Sequence, residues 1–274
     1  VLTAESRGMA FDGLHLWVAL YGINLVLKVN INTGQVVATV AVGIKPHSIA
    51  YNGSHLFVTN FGSNSVSKID PSSATVVASI PVGANPAGIA VNPFYGTVWV
   101  ANSGGGTVSV FYGSSTAVEA TVTVGTTPLG VASEGYYVWV TNTGSNTVSR
   151  LGAWVGSAVQ TTVTLSAAPQ TILYDYANLW VITGTNALAK IPAGSATATM
   201  VALPTGAVPA KMCFNGTYIL VQCANQQVYR VDVQTNAVLL VSSGSLGSGS
   251  NGVLAYDGVS VWAADQGNLY SALL

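Results

Sequence analysis

Three columns of residues recur in register along this chain, and a repeat of that kind dictates architecture before any single segment is read. Pro46, Pro86, Pro128, Pro169 and Pro209 follow one another at intervals of 40, 42, 41 and 40 residues. A large residue keeps the same beat at Trp17, Phe57, Trp99, Trp139, Trp180, Leu220 and Trp262, which makes seven copies. Asn24, Asn64, Gly106, Asn146, Asn186, Gln226 and Asn268 form the third column. Within one copy, PHSIAYNG, HLFVTN, NSVSKID and TVVASIPVG are short runs rich in β-branched and aromatic residues, divided by Asn, Gly and Ser. Each reads as a strand. Asp12-Gly13, Asn52-Gly53, Asn215-Gly216 and Asp257-Gly258 are hairpin-turn pairs, which predicts positive φ at both turn positions.

Each copy is therefore expected to be a four-stranded antiparallel sheet. Its second strand is apolar at consecutive positions, as in Leu56, Phe57 and Val58, a pattern suited to a sheet packed between two neighbours. Sheets of about 40 residues stacked radially make a β-propeller. The expected fold is all-β, a single seven-bladed propeller, with blades spanning 4–43, 44–83, 84–125, 126–166, 167–206, 207–248, and 249–274 joined by 1–3. The last copy supplies three strands, so Val1, Leu2 and Thr3 are expected to pair with it and close the ring, removing two exposed edges. Because the chain opens with Val1 and not Met, something upstream is expected to have been removed, processed or left out, and a secretory segment could be among the losses. An outer-membrane barrel is the rival all-β reading, but it needs strands of about ten residues with clean alternation. These strands are shorter and two-faced.

Composition narrows the function. Eight Lys and Arg stand against nine Asp and Glu, and the charged fraction is 6%, against roughly 25% in ordinary soluble domains. Nucleic-acid binding needs a basic surface and disorder needs net charge, so neither fits. Mean hydropathy is high at +0.50, yet the greasiest stretch, Leu14 to Val29, is broken by His15, Gly22, Asn24 and Lys28. No segment reaches the roughly 18 uninterrupted apolar residues of a spanning helix. The two cysteines, Cys213 and Cys223, fall too far apart along the expected hairpin for a disulfide and are expected to be buried thiols.

The segment from Phe57 to Arg150, with HLFVTNFGSNSVSKID and VWVTNTGSNTVSRL, resembles the YVTN repeat of bacterial and archaeal surface propellers. The resemblance implies a surface-layer or other extracellular setting and a scaffolding or binding role. It also touches the virginiamycin B lyase group of seven-bladed propellers, which would imply an enzyme with His and Glu on one face.

Chemistry is sought on the rims. In a propeller, the position after the column proline lines the channel mouth, and it places Arg7, His47 and Gln170 there among small residues, with Lys211 one step on and Lys45 beside them. These basic groups suit capture of an anionic or polyhydroxylated ligand through charge-assisted hydrogen bonds. They are equally what a solvated mouth tolerates. The loops between second and third strands add Tyr21, Phe61 and Asn142, a low-charge palette of the kind seen in antibody loops, although Asn there also serves left-handed turns. His15 and His55 lie on the opposite rim, Glu5, Glu119 and Glu134 are scattered, and no Gly-x-Ser-x-Gly elbow occurs. No catalytic residues, metal ligands or cofactor are expected, and the chain is expected not to be an enzyme. The favoured expectation is an extracellular, cell-surface or virion-surface module that scaffolds, adheres or binds, in the manner of a surface-layer, adhesin or virion-decoration protein. Its partners would be a protein or glycan on a surface, or copies of itself. The alternative is a lectin or lyase-like enzyme acting on a small or glycan ligand at the channel mouth.

Overall fold

The computed structural model describes residues 4–242, 253–265 and 268–273. Six four-stranded sheets and one three-stranded sheet follow one another in chain order, every neighbouring pair antiparallel. The first blade runs from the axis outward as β1 (Ser6–Phe11), β2 (His15–Leu20), β3 (Leu25–Asn30) and β4 (Val36–Ala41). The helical content of the described residues is one 3-10 turn, Thr143–Ser145. Innermost strands touch those of the next blade all the way round, and the first blade's lies against the seventh's. This is the seven-bladed propeller that the repeat predicts. The expected closure by Val1, Leu2 and Thr3 lies outside the described residues. Among the described ones the ring closes by packing, with Trp262 and Ala264 of the last blade against Leu16 and Val18 of the first.

The two-faced second strand explains why there is a core for each pair of blades rather than one at the centre. Leu56, Phe57 and Val58 are all fully buried. Leu56 and Val58 pack with Trp17 of the first blade, while Phe57 packs with Val98 and Val100 of the third. Trp17, Trp99, Trp139 and Trp180 hold the same station in their blades at zero exposure.

Two columns owe their identity to tight geometry. Asn60, Asn102 and Asn142 end their second strands buried, and each amide nitrogen donates to two hydroxyls of the third strand, for example Asn102 Nδ2 to Thr107 Oγ1 at 3.0 Å and Ser109 Oγ at 2.9 Å. A Cβ on Gly83 would sit 2.6 Å from the Asn102 amide, so that glycine is required by close approach. Asn24, Asn64, Asn146 and Gln226 take positive φ, as a left-handed turn demands.

The hairpin pairs differ from expectation. Only the glycines, Gly13, Gly53, Gly216 and Gly258, take positive φ, while Asp12, Asn52, Asn215 and Asp257 do not. Each Asx side chain instead caps the loop by accepting two backbone N–H groups, as Asn52 Oδ1 does from Ser54 and His55. Cys213 faces Leu220 and Cys223 faces Pro209, and both are buried free thiols. Burial pushes them up to about 12 and about 11 respectively.

Candidate functional site

Most of the chain's few cations have a structural post. Lys28, Lys68, Arg150, Lys190 and Arg230 stand cross-strand from the large residue of the second strand: Trp17, Phe57, Trp139, Trp180 and Leu220 respectively. The first four reach across to the next blade and donate to its backbone. Lys28 Nζ meets the Pro71 carbonyl at 2.8 Å, Lys68 Nζ that of Ser114 at 3.4 Å, Arg150 Nη1 that of Gly194 at 3.0 Å, and Lys190 Nζ that of Val233 at 2.6 Å. The Arg230 guanidinium lies over Tyr218. Of the eight Lys and Arg, three are left: Arg7, Lys45 and Lys211. All three are at one mouth of the central channel.

Local structure aims them there. In each of the six four-stranded blades the register slips where the innermost strand begins, as between Ser6 and Gly8 or between Pro46 and Ile49. Such a bulge redirects the residue that it carries. The strands then converge so closely that a Cβ on Gly8 would lie 2.7 Å from Ser48 Cα, and one on Gly130 would lie 2.7 Å from the Gln170 carbonyl. Thr59 and Thr141 tie the bulges together. Thr141 Oγ1 accepts the Gly130 N–H at 2.7 Å and donates to the Gln170 carbonyl of the next blade at 2.6 Å. Thr59 does the same between Ser48 and Ala87.

At the mouth, Arg7 Nε donates to Glu5 Oε1 at 2.7 Å and its guanidinium carbon lies 4.5 Å from the Tyr21 ring centroid. Lys45 Nζ is 5.7 Å from the same ring. The His47 ring stacks on Phe61 at 5.9 Å and meets Tyr21 edge-on at 6.4 Å. Lys45 adopts φ 56°, a left-handed conformation for which the next blade uses Asn85.

The electrostatics follow. Burial, with the neighbouring Arg7 and Lys211 charges, holds the His47 imidazole down to about 4, against an opposing hydrogen bond at the Ala87 backbone. Its Nδ1 is buried without a partner. Burial and Arg7 also draw the Lys211 ammonium below the usual lysine range, with Glu5 opposing. Three cations against the one carboxylate of Glu5 leave the mouth positive in a chain whose formal charge is -1.

The cavity behind this mouth has a volume of about 570 Å3, and Arg7, His47, Gln170 and Lys211 line it. Tyr21, Phe61 and Lys45 join through the ring contacts. Asn142 does not, because it is buried and its amide is engaged with Gly125, Thr147 and Ser149. Sequence reasoning overlooked Glu5 as a member of this site, although it stands only two residues from Arg7. It also missed the blade staples. Among the described residues no three His, Cys, Asp or Glu side chains converge.

No protein-family model matches the chain, and no curated protein sequence does. Solved structures do match. A chain of Kuenenia stuttgartiensis hydrazine synthase superimposes with a TM-score of 0.84 at 19% identity, over 100% of this chain and 97% of that one. Virginiamycin B lyase from Staphylococcus aureus gives 0.82 at 17%, over 98% and 94%. A catalytically inactive variant of that lyase with quinupristin gives 0.84 at 16%, over 99% and 96%. At such identities the likeness establishes the propeller fold. It also corrects the expectation that the chain is not an enzyme, since the propellers on which it superimposes are enzymes or parts of them.

Proposed function

We propose that this propeller binds an anionic ligand at the basic mouth of its central channel. One observation supports the reading above others: the three cations that do not stand cross-strand from a large second-strand residue, Arg7, Lys45 and Lys211, are gathered there with His47. Partly dehydrated cations strengthen each hydrogen bond to an anion. Aromatic walls from Tyr21 and Phe61 keep the groups ordered. The test is titration calorimetry with acetate and inorganic phosphate at low salt, with a neutral saccharide as control. Arg7→Ala combined with Lys211→Ala should weaken anion binding at least tenfold, while equal binding by the variant would sink the reading, and preference for the saccharide would favour a lectin.

A second reading concerns setting, a cell-surface or virion-surface module packed beside copies of itself. It is favoured by the outermost strands, whose sequences VVATVA, TVVASIP, ATVT, VQTTVT, TMVA and VLLVS contain no charged residue. Val37, Val77 and Leu239 are each 52% exposed on them. Sheet edges are usually guarded by charge. Sedimentation over a hundredfold concentration range should reveal self-association that Val77→Lys diminishes, and a monomer throughout would dispose of this reading.

A further inference from the structure

We infer that the ligand is an amphiphile, an anion whose apolar tail enters the channel while its head stays at the mouth. The inference rests on the anion-binding reading above and adds the chemistry of the rest of the molecule. Two residues inward from the rim position, the cavity is lined by Met9, Ile89, Val131, Ile172 and Met212, with Leu254 from the last blade. The aliphatic residues follow the row of Gly8, Ser48, Gly88, Gly130, Thr171 and Lys211, which also lines the cavity. The basic groups are also one-sided. Arg7, His47 and Lys211 come from the first, second and sixth blades, whereas the third and fourth line the cavity with Gly88, Leu129 and Gly130.

A purely ionic ligand would leave this second zone to water. A cavity of about 570 Å3 lies within the range of small-molecule sites, which are mostly apolar with a few convergent polar groups. Met9 and Val131 are only half-buried and Met212 is an adaptable side chain, so the wall can accommodate a chain of methylenes. An unbranched aliphatic carboxylate fits the arrangement, its head on Arg7 and Lys211 and its tail among the aliphatic ring.

The test is a calorimetric series of acetate, butanoate, hexanoate and octanoate at constant ionic strength, with 1-octanol as the neutral control. Affinity should tighten by about fourfold per methylene until the tail fills the channel, and octanol should bind far more weakly than octanoate. Met9→Gln, at a half-buried position, should reduce the gain per methylene. Constant affinity along the series with acetate and phosphate still bound would overturn the amphiphile and leave the anion site standing. Octanol binding as tightly as octanoate would also overturn it. Absence of binding by every anion would remove both.

Discussion

The indole N–H of Trp180 donates to Asp175 Oδ2 at 2.7 Å, while Asp175 Oδ1 accepts the backbone N–H groups of Ala177 and Asn178. Trp17 with Asp12 and Trp262 with Asp257 repeat the bond at 2.7 Å. Asp12, Asp175 and Asp257 thus each stand five residues before the Trp whose indole N–H they accept, whereas Glu134 stands five before Trp139 and the Trp139 indole nitrogen is buried without a hydrogen-bond partner. Where the large residue is Phe57 or Leu220, which offer no N–H, the position is Asn52 or Asn215, and only the turn is capped. Trp99 turns to Thr97 Oγ1 at 2.9 Å instead. A scarce acidic residue is thereby tied to a specific buried donor.

Asp175→Asn should consequently be destabilising even though Asn serves the same turn elsewhere. Its amide nitrogen would oppose the Trp180 N–H, leaving a buried donor unpaired at a cost of about 1–3 kcal/mol. In a Trp180→Phe background the same change should cost clearly less. Urea unfolding of the four species of this double-mutant cycle measures the coupling, and a coupling near zero would show that the bond does not matter.

Lys190 holds the fifth blade to the sixth through the Val233 carbonyl and Asn236 Oδ1, with its ammonium 5.0 Å from the Trp180 centroid. Lys190→Met retains the aliphatic stem and removes the donor. The expected loss is about 1–2 kcal/mol, with amide exchange accelerating at the blade boundary and the far side of the ring unaffected. Lys45→Met, at the exposed mouth, should leave stability unchanged, so equal effects at the two sites would refute the division between staple and site cations.

The repeat was legible because each column answers to a demand that few residues meet: Gly83 to the Asn102 amide against it, Trp180 to a buried slot between blades. The mouth was legible in part, because the bulge always presents the residue after the column proline. The staples carried a signal, since Lys28 and Lys68 share the period of 40 with Arg150, Lys190 and Arg230, but a cation cross-strand from a buried Trp looks from sequence like any solvated lysine. What could not be read was convergence. That aliphatic residues of six blades border one cavity depends on how near the innermost strands approach one another.

Gly83→Ala should be strongly destabilising, by roughly 1–3 kcal/mol for overpacking, because the new methyl group would meet Asn102 at 2.6 Å. Gly184→Ala is the contrast, with nothing within 4 Å of the added carbon and no positive φ. It should be neutral or stabilising by about 0.4–1 kcal/mol through the unfolded chain. Thermal midpoints of the two variants decide the matter, and similar losses in both would mean that the approach of Gly83 to Asn102 is looser than described.

His47 makes the mouth sensitive to pH. Its folded value of about 4 lies below the ordinary 6.5, so between these limits the unfolded chain holds the extra proton. Stability is therefore complete above pH 6.5 and declines as pH falls toward 4, by up to about 3 kcal/mol. The groups facing His47 are Arg7 and Lys211, both cationic, and nothing acidic offsets them on the ring itself. The Asp12 and Asp257 carboxyls give no signal in this window. Burial raises them, but their hydrogen bonds prevail and hold both below 3.8, so their contribution is lost only at lower pH. A bound anion should favour the imidazolium and oppose the decline, so sulfate, whose charge is constant over this range, should protect more at pH 5 than at pH 7.5. His47→Gln should flatten both the stability profile and the pH dependence of protection. Urea midpoints from pH 4.5 to 7.5, with and without sulfate, test this, and an unchanged slope in His47→Gln would place the responsible group elsewhere.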